Sequence, residues 1–66
     1  MKIVLNGDPR EVGQARTIAE LVTALRLPAP VTLIEHNGFA LRRSEWPLSP
    51  LAEGDRIEVV RIVAGG

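Results

Sequence analysis

Cysteine is absent from the 66-residue sequence, which excludes disulfide cross-links, thiolate zinc sites and thiol nucleophiles. Histidine occurs once, at His36, so no second imidazole is available to build a metal site around it. Net charge is missing too: eight Lys and Arg balance eight Asp and Glu, mixed along the chain. Nucleic-acid binding calls for clustered positive charge, and that footprint is not there. No apolar run approaches the length of a membrane span, and no charged-then-apolar signal segment opens the sequence. Nor is there a paired-carboxylate motif, a Ser/His/Asp set or a phosphate-cradling glycine loop, so an enzyme is not expected. What is present is a hydrophobic content of 45%, too high for a disordered segment. A chain this short buries only ~60% of its unfolded surface, so its core has to be efficient. The expectation is a soluble, cytoplasmic, single-domain protein.

The chain opens with Met1, Ile3 and Leu5 on one face of an alternating run and Lys2 and Val4 on the other. Asn6-Gly7 follows, the strongest short hairpin signal, and Arg10 to Val12 supplies the return strand, with Pro9 near its start where a missing N–H is tolerable. Thr17-Ile18-Ala19-Glu20 fits a capping box. Ile18, Leu21, Val22 and Leu25 then recur at helical spacing, until Pro28 and Pro30 end the helix. Val31 to His36 reads as a strand, although alternation leaves open whether Val31 and Leu33 or Thr32 and Ile34 face the core. Asn37-Gly38 is a second hairpin signal, with Phe39 to Leu41 pairing back. Arg42 to Pro50 reads as irregular because Trp46-Pro47 and Ser49-Pro50 interrupt any regular element; Trp46 is expected to plug the core beneath it. After a turn at Glu53-Gly54-Asp55, where Asp55 is placed to cap backbone N–H groups, Arg56 to Val63 forms the last strand. Ile57 and Val59 take one face of it, and Glu58, Val60 and Ile62 the other.

One short helix has one apolar face and must lie on a sheet. A first hairpin, a helix and a late strand returning beside the first strand make the β-grasp arrangement. The expected fold is therefore α+β: a mixed sheet of four to five strands packed on one main helix, residues 1–62, with a flexible tail at 63–66. The tail, Val63-Ala64-Gly65-Gly66, contains two successive glycines, which lose more freedom on ordering than any other residue. A frayed end is the plain description, and the α-carboxylate of Gly66 is its one chemical handle. With the first and last strands adjacent, Val4, Val60 and Ile62 would form a small apolar patch leading to that tail. Scattered exposed apolar residues are also normal, so both readings stand. His36 reads as a strand-end residue and Arg42-Arg43 as a solvated loop.

Asn6-Gly7, the Thr17-capped helix, Asn37-Gly38 followed by Arg43-Ser44-Glu45-Trp46, the Gly54-Asp55-Arg56-Ile57-Glu58-Val59-Val60 run and the closing Gly65-Gly66 together resemble the thiamine-pathway sulfur carriers, the ThiS family with its ubiquitin-like β-grasp fold. The resemblance covers essentially the whole chain. Ala64 stands where that family often has a third Gly, and Arg42 where it often has Pro.

The resemblance implies a reaction. An E1-like adenylyltransferase (ThiF-like) would use ATP and magnesium to convert the Gly66 carboxylate to an acyl-adenylate. A sulfur donor such as a cysteine desulfurase would then supply the sulfur of a thiocarboxylate, which a thiazole synthase (ThiG-like) would consume in forming the thiamine thiazole ring. The chain would be a co-substrate, binding no cofactor itself, with Gly66 the attachment point and Gly65 giving the tail its freedom and access. Gly-Gly ends also occur in the molybdopterin sulfur carrier and in ubiquitin-like modifiers that form isopeptide bonds. A third reading is a non-reactive interaction module.

Overall fold

Asn6 and Gly7 both adopt left-handed backbone conformations, with φ of 48° and 85°, and Asn37 and Gly38 do the same at 50° and 89°. Two successive positive φ values are what a two-residue type I′ hairpin loop requires. The computed structural model, which describes residues 1–63, accordingly folds strand β1 (Lys2–Leu5) back on β2 (Asp8–Glu11) and β3 (Thr32–His36) on β4 (Phe39–Leu41). Because the first loop is this tight, pairing resumes at once, Leu5 opposite Asp8. The return strand therefore begins two residues before the expected Arg10 to Val12 and ends one residue before it. Pro9 sits in it opposite Val4, on an edge strand where its missing N–H costs nothing.

The last strand, β5 (Arg56–Arg61), enters between the two hairpins, giving the order β2-β1-β5-β3-β4. It runs parallel to β1, with Val4 opposite Arg56 and Leu5 opposite Ile57. It runs antiparallel to β3, from His36 opposite Ile57 to Thr32 opposite Arg61. This is the expected mixed sheet, with five strands and a late strand beside the first. The ladder stops at Arg61 rather than Val63 because β3 begins at Thr32, although the Ile62 N–H still reaches the Val31 carbonyl at 2.6 Å. The register also settles the open alternation: Thr32 and Ile34 are buried and Leu33 is exposed.

Helix α1 (Ile18–Ala24) starts where the sequence indicates, with half of the expected capping box: Thr17 Oγ1 accepts from the Glu20 N–H at 3.2 Å, whereas the Glu20 carboxylate reaches past the Thr17 N–H and accepts from that of Arg16 at 3.0 Å. Its end differs from expectation. The prolines lie beyond the stop, which is made by Arg26 in a left-handed conformation (φ 55°), with Arg26 N–H bonded to the Thr23 carbonyl and Leu27 N–H to that of Val22. That pair of bonds is a Schellman closure with an arginine in the position usually given to glycine. A short 3-10 turn (Ala29–Val31) then leads into β3.

The segment expected to be irregular, 42–50, contains a 3-10 helix, Arg43–Leu48. Glu45 closes its first turn by accepting from the Arg42 N–H at 2.7 Å. Pro47 is tolerated because 3-10 pieces this short leave most N–H groups without an internal partner. Ser49 to Leu51 then bonds the approach to α1, through Ile18 N–H to the Ser49 carbonyl and Leu51 N–H to the Arg16 carbonyl. Trp46 is buried in the core as expected. Ile3, Ile18, Leu21 and Ile57 are its fully buried centre, between α1 and the inner sheet face, each contributing about 1.5–3 kcal/mol by burial. The expected flexible tail falls on residues 64–66, outside the described residues, apart from Val63, which is exposed.

Candidate functional site

The helix covers one face of the sheet and leaves the other to solvent. Strand alternation puts Glu58, Val60 and Ile62 of β5 on that outer face. The cross-strand partner of Val60 is Leu33. Leu33, Val60 and Ile62 are 51%, 56% and 47% exposed, so about half of each large side chain is left uncovered in one contiguous patch. Val63 follows, more exposed still. Val4 shares the face but stands opposite Arg56, four residues from Val60 or ~13 Å along the strand. Of the three residues expected to dock a partner, the structure brings Val60 and Ile62 together, adds Leu33, and places Val4 beside Arg56. Leu33 was missed in the sequence because its side of the strand depends on a pairing that alternation alone does not reveal.

Farther along the same face the chemistry changes. Glu35 lies directly opposite Glu58, and with Arg56 and Gly38 the two line a recess of about 200 Å³. The outer face thus has an apolar half near the end of β5 and a charged half near the β3–β4 loop.

Two polar clusters hold β5 in place. Beyond Leu5 the first strand turns away, and the side chain of Asn6 takes over its pairing. Asn6 Oδ1 accepts from the Val59 N–H at 2.7 Å, while Nδ2 donates to the Val59 carbonyl at 3.3 Å. At the other end, Asp55 accepts from His36 Nε2 at 2.8 Å, Asn37 Nδ2 at 3.1 Å and the Ala52 N–H at 2.8 Å. Burial pushes the Asp55 carboxyl up, but the hydrogen bonds from His36, Asn37 and the Ala52 backbone outweigh it and hold it below its ordinary value. His36 is therefore committed to a structural contact joining β3 to the start of β5, in keeping with its reading as a strand-end residue.

Among the described residues no group of three or more His, Cys, Asp or Glu is placed to hold a metal ion. A broad depression beside α1, lined by Val12, Ala15, Ala19, Glu20 and Thr23, has one titratable group, and the Glu20 carboxylate is already bonded to the Arg16 backbone. Gly66, the candidate attachment point, and Gly65, expected to give the tail its freedom and access, lie outside the described residues. Among the described residues no helix is long and apolar enough to cross a membrane.

A five-stranded mixed sheet wrapped on one helix, with its central strand leading toward a Gly-Gly sequence, defines a ubiquitin-like β-grasp protein. Residues 3–66 match the ThiS family, and the chain belongs to that family. A crystal structure of a thiamine biosynthesis protein (ThiS) from Geobacter metallireducens is similar over the whole of both chains, at 30% identity and a TM-score of 0.84. A solution NMR structure of a thiamine biosynthesis protein from the same organism, also 30% identical, gives 0.80 over 100% of this chain and 88% of that one. The chain is also similar to part of two thiazole synthases. It is 33% identical over its full 66 residues to the one from Magnetococcus marinus and 27% identical to that from Paramagnetospirillum magneticum. In each case it spans about a fifth (20%) of the relative's length.

Proposed function

We propose that this chain is a sulfur carrier in thiamine biosynthesis, activated at Gly66. The observation that carries the reading is the family match running through residue 66, and so through the Gly65-Gly66 pair. The absence of cysteine agrees with it: no persulfide can form on this chain, which leaves a carboxylate to bear the sulfur. A carboxylate resists nucleophiles because of its charge and resonance, so activation comes first. Its oxygen attacks the α-phosphorus of magnesium-bound ATP in an E1-like (ThiF-like) adenylyltransferase, and pyrophosphate leaves. A persulfide on a donor such as a cysteine desulfurase then attacks the acyl carbon through its outer sulfur, and AMP departs to leave an acyl disulfide. A second thiol attacks the donor's sulfur and breaks the S–S bond, so that the donor side is oxidised to a disulfide and the thiocarboxylate is released. Glycine at 65 and 66 presents no Cβ to crowd either attack.

The acceptor on this reading is a thiazole synthase (ThiG-like). Two proteins of that name contain a stretch similar to the entire chain within one polypeptide, as suits a carrier and the enzyme it serves. The chain itself acts as co-substrate rather than catalyst.

Incubation with ATP, the activating enzyme and a sulfur donor, followed by intact mass measurement, tests the proposal. The expected product is heavier by one sulfur-for-oxygen exchange, and deletion of Gly66 or addition of one residue abolishes it while the circular dichroism spectrum is retained. Misplacing the activated carbonyl costs on the order of 100-fold per ångström. A thiocarboxylate formed at the normal rate on the extended chain refutes the assignment of Gly66. Protein adducts through lysine would point to a modifier, and transfer to a pterin pathway to the molybdopterin-type carriers.

A further inference from the structure

Both hairpin loops are Asn-Gly, the asparagine sequence most prone to lose its amide, because a glycine without a Cβ leaves its backbone nitrogen free to reach the preceding side chain. In that reaction the Gly nitrogen attacks the Asn Cγ, the Cγ–Nδ2 bond breaks, and ammonia leaves carrying the proton that the Gly nitrogen gave up. Water then opens the succinimide ring at either carbonyl, giving aspartate or isoaspartate. Both loops are exposed, a Cβ at Gly7 or Gly38 would meet nothing within 4 Å, and among the described residues neither Gly N–H is bonded to another backbone group. Water and nucleophile are thus at hand in both. What separates the loops is how each side-chain amide is held. Asn6 Oδ1 accepts from the Val59 N–H at 2.7 Å, but its Nδ2, the leaving group, has only a 3.3 Å bond to a neutral carbonyl. Asn37 Oδ1 accepts from the Arg56 N–H at 2.8 Å, and its Nδ2 donates at 3.1 Å to the Asp55 carboxylate, which His36 and the Ala52 N–H hold in place. A hydrogen bond to a carboxylate is roughly twice as strong as one to a neutral carbonyl.

We infer that Asn6 is a site of spontaneous deamidation in the folded protein, with water as the reactant, and that Asp55 spares Asn37 by holding its amide on the start of β5. Attack requires the side chain to leave β5 and turn back on its own backbone, so the bonds to β5 set the rate. The consequence falls on the strand that leads to the tail. Aspartate at position 6 keeps the left-handed backbone and the acceptor for the Val59 N–H, but sets an oxygen against the Val59 carbonyl where a donor stood. Isoaspartate adds a methylene to the backbone of a two-residue loop, which breaks the register that puts Leu5 opposite Asp8. Either product adds one negative charge to a chain of formal net charge zero. None of this depends on the chemistry proposed for Gly66.

The test is prolonged incubation of the full chain at mildly alkaline pH, folded in buffer and unfolded in urea, with peptide mapping that reads aspartate and isoaspartate at each position. In urea the two sites should convert at similar rates. In the folded chain both should slow, and Asn6 should convert on the order of tenfold faster than Asn37. Asp55→Asn, kept under conditions where its circular dichroism spectrum is that of the folded parent, should raise the Asn37 rate several-fold and leave that of Asn6 unchanged; a general loosening would raise both. The form converted at Asn6, separated by ion exchange, should lose amide-exchange protection at Val59. Equal rates at the two sites in the folded parent, or a faster Asn37, overturn the inference, as does an Asp55→Asn variant whose Asn37 rate is unchanged or rises only together with that of Asn6. No conversion at Asn6 in the folded chain over a period that consumes it in urea overturns it too, and full protection at Val59 in the converted form overturns the effect on β5.

Discussion

Asn6 performs two tasks that separate substitutions can pull apart. It holds a positive φ in the first hairpin loop, and its amide pairs with both backbone groups of Val59. Asn6→Gly keeps the backbone conformation and removes the amide. The 2.7 Å bond to the Val59 N–H and the weaker 3.3 Å bond to its carbonyl, at about 0.5–1.5 kcal/mol each, together contribute about 1.5 kcal/mol. For a domain of this size about 1 kcal/mol corresponds to roughly 4–8 °C, so the variant should melt about 6–12 °C lower. Asn6→Ala should lose a further ~1 kcal/mol, because an alanine tolerates φ of this sign poorly. Thermal and urea melts measure both. Amide hydrogen exchange locates the effect: protection at Val59 should fall well before that of Ile57, whose strand pairing is unaltered. Asn6→Gly melting with the parent, or losing protection uniformly, would show that the side chain does not carry the end of β5.

Other substitutions probe other links. Asp55 has a folded-state pKa below its unfolded value, so the stability it adds is present above about pH 4 and lost as pH falls through the lower, folded value. Asp55→Asn should therefore be less stable than the parent near neutrality, with the gap in urea midpoint narrowing as the pH falls below the ordinary carboxylate range; a constant gap contradicts the assignment. Arg26→Gly should raise stability by ~1 kcal/mol in urea melts, since glycine occupies the left-handed position without a Cβ clash. Val60→Asp should lower the kcat/KM for adenylation about tenfold, with the melting temperature little changed at so exposed a site. Val4→Asp, ~13 Å along the strand, should have a smaller effect, and equal losses would make the docking surface broader than the patch around Leu33.

The parts of the fold written in local chemistry were legible in the sequence. Asn-Gly fixes two hairpins because few residue pairs accept two positive φ values in succession, and Thr17 with Glu20 marks the helix start through bonds spanning only a few residues. Parts that depend on distant pairing were less so. Leu33 and Ile34 look alike in a strand, and the face each takes follows from the register with Val60 and Val59, which lie far away in the chain. The same holds for Val4, whose distance from Val60 is set by the parallel register with Arg56. Arg26 was hidden for a different reason: nothing in its side chain favours the left-handed region, and the packing of Leu27 and the two closing bonds impose it. The 3-10 helix at 43–48 was masked by Pro47, which argues against an α-helix but not against this tighter one. Of the candidate site, the apolar character of β5's outer side was readable, whereas the Glu35–Glu58 juxtaposition needed the structure.

The central place of β5 has a mechanical consequence. Any partner that draws residues beyond Val63 into itself pulls along the axis of a strand hydrogen-bonded on both sides, to β1 through backbone and the Asn6 amide and to β3 through its whole length. Inter-strand bonds lie roughly across the strand, so such a tension loads them together in shear instead of opening them one at a time. An edge strand such as β4, with a single neighbour, would peel under the same force. Val63 is thus anchored to the part of the sheet best able to bear a load, and the domain would keep its shape under a pull applied beyond it.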